Sequence, residues 1–359
     1  VSFRRSLLAT CVALAGLLTV PLLAQTASAA GSGVQAIGAV TVTGTVPDGS
    51  KTIVSMAANP AGQGYWLVAS DGAVYSFGGA PFSGGATGTA LRSPIVDMAP
   101  TPTGLGYWLV AADGGVFTFG DAVFKGSMGG QRLGRPIVAV GATPSGQGYF
   151  LVGGDGSVFT FGDSQFAGSL PSLHVPGDIV DVVVRPQGDG YWLIGSDGSA
   201  FAFGAAPNVQ GLPDHKIRPQ GRIVGAAATP SGAGLWFTST DGGVFAVGDA
   251  PFLGAGTPPA GQRIAAIASN PAGTGLWLAS TSGLLPAKPG DRGDAVRLIQ
   301  QRLLDLGYWL AGPSGSYELT TQQAVMAFQK YSGLARDGVA GPTTADLLSR
   351  ASRPQAITT

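Results

Sequence analysis

The sequence predicts a mainly β chain that ends in a small helical unit. Three observations carry that prediction. The phrase GYWLVASDGAVYSFG at 64–78 returns as GYWLVAADGGVFTFG at 106–120 and as GYFLVGGDGSVFTFG at 148–162. The repeated runs are short and dense in Val, Ile, Leu, Tyr, Trp and Phe, with Gly, Pro and Asp between them, which is strand-and-turn composition. Beyond residue 286 the apolar spacing changes from the strand period to the helix period.

In chain order, residues 1–29 come first. Arg4 and Arg5 precede an apolar run from Leu7 to Leu23, and Ala27-Ser28-Ala29 offers a small-residue cleavage site. This is the pattern of a secretory signal peptide, so the chain is expected to be secreted, extracellular or wall-associated, with no stable membrane insertion after cleavage. Cys11, within that run, is the only cysteine of the 359 residues. Its removal would leave no disulfide, thiolate nucleophile or zinc–thiolate site. Formal net charge is zero, which argues against nucleic acid as a partner.

Residues 30–285 hold the repeats. An apolar pair opens each unit at Ile53, Ile95, Ile137, Ile179, Ile223 and Ile264, at spacings of 42, 42, 42, 44 and 41 residues. In the first unit, strands are expected near 53–58, 64–69, 73–77 and 81–85, with Asp71-Gly72 in a two-residue hairpin turn. Tyr65 and Leu67 alternate with Trp66 and Val68, so the strand is apolar on both faces and calls for cover on both. Small four-stranded sheets stacked face to face in a ring meet that demand, and repeats of this length fit the blades of a β-propeller. The last unit breaks off after Gly283, and GVQAIGAVTVTG at 33–44 aligns with GVFAVGDAPFLG at 243–254. The N-terminus is therefore expected to lend two strands to the last blade, closing a six-bladed ring.

Asp71, Asp113, Asp155, Asp197 and Asp241 recur once per unit and read as turn residues, because Asp before Gly is a hairpin signal in its own right. Trp66, Trp108, Trp192, Trp236 and Trp277 could stack on sugars, but Phe150 substitutes at the equivalent place and the alternation puts them inside. His174 and His215 sit in connections that are longer or more polar than their counterparts, and are candidates for recognition loops.

PAKPGDRGD at 286–294 carries the linker, 286–293. Within 294–350, three helices are expected at 294–307, 320–333 and 341–350, the last entered at Pro342. Residues 351–359 form a tail. GDRGDAVRLIQQRLLDLGYW followed by GSYELTTQQAVMAFQKYSGLARDGVAGPTT resembles the peptidoglycan-binding domain family found beside bacterial wall hydrolases and transpeptidases, over 289–349. The matched positions include Gln300, Gly307-Tyr308, Tyr317, Phe328-Gln329 and Asp337-Gly338; Ser314 and Glu318 depart from the family pattern. The resemblance implies peptidoglycan as a partner, with Tyr308, Tyr317, Gln329 and Asp337 as binding candidates. The repeat phrase itself resembles blocks of secreted actinobacterial proteins that sit next to wall-acting modules.

Catalytic residues are scarce. There are two histidines, and Glu318 is the only glutamate. No Ser-x-x-Lys occurs, because Asp48, Ala122, Pro213, Leu285 and Ala327 stand three before the lysines. The expectation is a non-catalytic wall-binding protein with no cofactor and no metal, whose propeller displays a surface to an unidentified protein or glycan. Two alternatives stay open. One is a lectin-like, sugar-binding propeller. The other is the front part of a wall-modifying enzyme of L,D-transpeptidase type, whose cysteine and histidine would lie beyond Thr359.

Overall fold

The computed structural model describes residues 33–44, 52–62, 64–171, 178–259, 262–281, 284, 286–341, 344, 345, 347 and 348. The signal segment at 1–29, His174 and the tail at 351–359 lie outside the described residues. The architecture is mainly β, with six three-stranded antiparallel sheets and two C-terminal helices.

Strand β1 (Val34–Gly38) is followed by five sheets that are each continuous in sequence: β2–β4 (Ile53–Ala58, Tyr65–Ala69, Val74–Phe77), β5–β7 (Ile95–Pro100, Tyr107–Ala111, Val116–Phe119), β8–β10 (Ile137–Ala142, Gly148–Gly153, Val158–Gly162), β11–β13 (Ile179–Val184, Gly190–Gly195, Ala200–Gly204) and β14–β16 (Ile223–Ala228, Gly234–Ser239, Val244–Gly248). Strands β17 (Arg263–Ser269) and β18 (Gly275–Thr281) form the sixth sheet with β1, whose Val34 pairs with Ala279 and Gly38 with Gly275. The pairing of the two chain ends is thus as expected, but the N-terminal segment contributes one strand rather than two.

The fourth strand expected in each unit is likewise missing. In the first unit, 81–85 runs extended without a ladder. Pro81 has no N–H to donate, and Gly84 sits at φ +124°. Side chains hold the segment instead: Trp66 Nε1 donates to Pro81 O at 2.8 Å, and Tyr107 Oη donates to Gly84 O at 2.5 Å. The Asp-Gly hairpin is also one residue longer than expected. Gly72 N donates to Ala69 O and Ala69 N to Ala73 O, leaving a three-residue loop with Gly72 left-handed at φ +82°.

The core lies between sheets. Trp66 packs against Tyr107, Trp108 against Tyr149 and Phe150 against Tyr191, each pair drawn from consecutive sheets, and Trp277 of the last sheet packs against Tyr65 of the first. The Tyr-aromatic dipeptide therefore serves two neighbours, one ring for each. The first strands also touch in succession, β2 with β5, then β8, β11, β14 and β17, and β17 touches β2. Every first strand shifts register at the residue after its opening Ile. That bulge sets the opening pair apart: the Ile is buried between sheets, while Val54, Val96, Val138, Val180, Val224 and Ala265 line a shared central space.

Helices α1 (Asp294–Asp305) and α2 (Leu319–Tyr331) carry the C-terminal unit; Thr344, Ala345, Leu347 and Leu348 are helical in the third segment. Both helices stop in the same way. Gly307 and Gly333 are left-handed, and the next residue's N–H reaches back five positions, Tyr308 to Leu303 O and Leu334 to Gln329 O. The unit's core is its own, with Val296, Ile299, Leu303, Val325, Phe328 and Leu348 at its centre. No helix among the described residues is long and apolar enough to cross a membrane.

Candidate functional site

Two buried glutamines organise the helical unit. Gln300 of α1 donates through Nε2 to Thr321 Oγ1 at 2.8 Å and Ser316 O at 2.9 Å, and accepts from Gly315 N at 2.8 Å. Gln329 of α2 donates through Nε2 to Asp337 Oδ1 at 2.6 Å and Val339 O at 3.0 Å, and accepts from Gly338 N at 2.9 Å. Each amide pins one loop. Ser314, one of the departures from the family pattern, takes part in the first clamp, receiving Gln300 Nε2 at 3.2 Å and Ser316 N at 3.2 Å. Glu318, the other departure, is the N-cap residue of α2 in extended conformation, φ −97°, which places no demand for glycine.

This geometry separates the four sequence candidates. Gln329 and Tyr317 are buried, and their polar atoms are engaged inside the unit: Tyr317 Oη donates to Gly338 O at 2.9 Å and accepts from Ala340 N at 3.1 Å. Burial pushes the Tyr317 phenol up, beyond its ordinary range. Neither side chain is placed to touch a ligand directly; both fix the 337–340 loop. Asp337 is exposed, with Oδ1 shared between Gln329 Nε2 and Val339 N. Tyr308 is half-buried, edge-on to Phe328 at 6.0 Å, its phenol raised by burial and by the neighbouring Tyr331.

Two aromatics that sequence reasoning passed over stand beside it. Trp309 is 77% exposed and Tyr331 is 67% exposed. The signal for Trp309 was Gly-Tyr-Trp after a helix stop, where packing needs only one ring. Together Tyr308, Trp309 and Tyr331 offer flat apolar faces with polar edges, which suits stacking on sugar rings.

In the β part, the repeat aspartates are turn residues: Asp71, Asp113, Asp155 and Asp197 each accept the backbone N–H two residues on. The repeat tryptophans are buried and donate through Nε1 to backbone carbonyls, as Trp108 does to Val123 O and Trp192 to Pro207 O. His215 is exposed in the connection after the fourth sheet that the chain completes. Sequence reasoning did not single out Phe82, Phe124, Phe166 and Phe252, which follow the last strands of four of the five sheets that are continuous in sequence and are all exposed; Asn208 stands at the equivalent place after the remaining one. Their periodicity was readable in the residues that close four of the units.

The central space holds one further feature. Asp97 accepts from Ser55 Oγ at 2.6 Å and from Val140 N at 2.8 Å, tying β5 to β2 and β8. Asp181 accepts from Ala226 N at 2.9 Å, tying β11 to β14. Burial raises both carboxyls well above the usual range, and the charge of Asp97 raises Asp181 further. The other units place Ser, Ala or Gly at this position, so the two aspartates are departures from the repeat.

A helical module clamped by two glutamines, with exposed aromatics, thus follows a repetitive β chain of unlike build. Residues 292–348 are a peptidoglycan-binding domain, matching the family described as "Putative peptidoglycan binding domain". The same region is similar to N-acetylmuramoyl-L-alanine amidase CwlL of Bacillus licheniformis, 45% identical over 64 residues, which cover 17% of this chain and 18% of that protein. It is also similar to N-acetylmuramoyl-L-alanine amidase CwlM of Mycobacterium tuberculosis, 44% identical over 52 residues, 14% of this chain and 13% of that protein. The chain thus spans less than a fifth of the length of either relative.

Proposed function

We propose that the chain is a secreted, non-catalytic wall-binding protein in which the unit at 294–350 holds peptidoglycan and the β part at 30–285 is a six-bladed propeller displaying a second surface. The observation that carries this reading is the peptidoglycan-binding domain at 292–348, with an exposed aromatic face at its helix ends. Glycan rings would stack on Trp309 and Tyr308, with Asp337 as an acceptor at the edge and Tyr317 and Gln329 as positioning residues behind it. The propeller reading is supported by the succession of first-strand contacts through β17 back to β2 and by the pairing of β1 with β18. Its second surface would take a protein or a glycan, with His215 and the exposed Phe82, Phe124, Phe166 and Phe252 as candidates; His174 is a further candidate from the sequence. The segment 286–293 would join the two parts.

The test is sedimentation of the full chain with insoluble peptidoglycan, comparing Trp309→Ala and Tyr308→Ala with Phe124→Ala. Loss of sedimentation in the first two alone supports the assignment, and loss only in the third would move wall binding to the β part, as a lectin-like propeller requires.

A second reading, that the chain is part of a wall-modifying enzyme, is favoured by the amidases that share this domain. A coding sequence that continues past Thr359 into a segment with a cysteine and a histidine, and whose product modifies peptidoglycan, would support it against the binding-only reading.

A further inference from the structure

A second cavity, of about 250 Å³, opens where the first strands begin and is covered by the linker and by Val339–Gly341 of the helical unit. Its walls are mostly apolar, with the half-buried Val54, Val96, Val138, Val180 and Val224 among them, and its charged side chains are cationic except for Asp178. Asp178 at the rim is shared by three cations: Arg135 Nη2 at 3.0 Å, Lys288 Nζ at 2.6 Å and Arg222 Nη2 at 3.5 Å. The fourth cation is different. Arg263 also lines the cavity and is only 8% exposed, yet among the described residues its guanidinium has no ion-pair partner, and its Nε has no hydrogen-bond partner at all. Burial alone pulls the group down to about 9, with no acid offsetting it, so it stays charged at neutral pH.

A buried charge without a counter-ion is among the most costly arrangements a fold can hold, and folds avoid it unless something supplies the partner. Asp178 cannot serve, since three other cations already surround it. The planar fork of an arginine matches a carboxylate through paired N–H bonds. The valine walls would strip water from a phosphate without replacing its hydrogen bonds, whereas they suit a small aliphatic body. We propose that this cavity is a binding site for a carboxylate carried on a small apolar body, with Arg263 as its anchor and the aliphatic part held among the valines. The same chemistry is offered by a free short-chain carboxylic acid and by the C-terminal carboxylate of a peptide ending in a small apolar residue. The inference stands on the β part's own residues and does not rest on wall binding by Tyr308 and Trp309.

The experiment is calorimetric titration of the full chain, with thermal melting alongside. The probes are 3-methylbutanoate, N-acetyl-alanyl-alanine, the amide of each, and inorganic phosphate. Saturable binding of either carboxylate, a raised melting temperature with that ligand, and binding at least about tenfold weaker for its amide are expected, because removing a charged hydrogen-bond partner has effects of that order. Preference for 3-methylbutanoate assigns free acids, and preference for the dipeptide assigns peptide ends. In Arg263→Met, carboxylate binding should be lost and the ligand-free protein should melt higher, since an unpaired buried charge has gone. Should that variant fail to fold, Arg263→Lys keeps the charge without the fork and should bind at least several-fold more weakly. Absence of saturable carboxylate binding to the wild-type chain, undiminished binding in Arg263→Met, or binding of phosphate in place of carboxylate would each overturn the proposal.

Discussion

The two parts of the molecule bury polar groups in opposite ways. In the helical unit the buried polar side chains are neutral, two amides and two threonine hydroxyls among them, and Gln300 and Gln329 each bond several times to loop backbone and hydroxyls. In the β part most are hydroxyls, but charges stand among them without balance: the half-buried Asp97 and Asp181 line one central space, and Arg263 has no acid beside it among the described residues. A small unit with one core has little stability to give away, so its interior polar groups act as struts. A large repeated array, in which each sheet is packed on both sides, can carry local frustration. Its buried charges are therefore better guides to function than the buried amides of the helical unit, whose function lies on the surface.

The sharpest way to break that contrast is to remove a strut. Gln329→Leu keeps the volume but strands Gly338 N and Val339 O without their partner, and should cost the helical unit about 3 kcal/mol, since each orphaned buried group costs about 1–3 kcal/mol. Both helices of the described residues lie in that unit, so the loss can be followed by the helical circular-dichroism signal on urea unfolding, apart from the β part. A change below about 0.5 kcal/mol, the range of an ordinary surface substitution, would show that the clamp is dispensable.

The frustrated side of the comparison is reached through pH. The carboxyls of Asp97 and Asp181 are raised to about 6 and about 8, against an unfolded value near 4. The folded state thus binds protons more tightly than the unfolded one. Their contribution is fully present below about pH 4 and declines as pH rises through the folded values. The melting temperature should therefore fall between pH 5 and pH 8.5, roughly the window these shifts define, and Asp181→Asn should flatten that fall. A melting temperature that is level or rises across this range in the wild-type chain would mean that the pair is hydrated and ordinary.

Much of this was legible in the residues. Period, strand positions and the pairing of the chain ends follow from GYWLV and from the split last unit, because packing on both faces leaves a strand little choice of composition. The Asp-Gly turns were legible for the same reason, although the extra residue in the loop was not: Gly72 serves a two-residue or a three-residue hairpin equally well. The fourth strand was overpredicted because Phe82 and its neighbours have strand composition, while Pro81 and Gly84 take away the ladder. In the helical unit the family positions were found, but position does not report exposure. Tyr317 and Gln329 read like surface residues in a list of polar matches, and only the fold shows them turned inward while Trp309 faces out. Arg263 was not legible at all. Nothing in AGQRIAAIAS distinguishes an arginine that ends a strand in solvent from one that ends it in a cavity.

Between-sheet packing offers a test of intermediate size. Tyr107 Oη accepts from Ser83 N at 3.2 Å as well as donating to Gly84 O, so it replaces the missing ladder of the first unit from the neighbouring sheet. Tyr107→Phe keeps the ring contact with Trp66 and should cost about 1–2 kcal/mol, the usual worth of such hydrogen bonds when the ring itself is retained. If the substitution is neutral, the extended segments are held by the tryptophan N–H alone.

The smallest stability effect is expected where the functional effect is largest. Trp309 is exposed and makes no bond on which the helical unit depends, so Trp309→Ala should change its unfolding free energy by less than about 0.5 kcal/mol. Yet if the aromatic face is the wall contact, the same substitution should weaken sedimentation with peptidoglycan at least about tenfold, because a stacked aromatic at the centre of a binding surface carries a disproportionate share of the energy. Gln329→Leu supplies the opposite signature, a large loss of stability with wall binding falling only as the unit unfolds. A Trp309→Ala chain that binds the wall normally would separate exposure from function and return the question to Asp337 and the loop behind it.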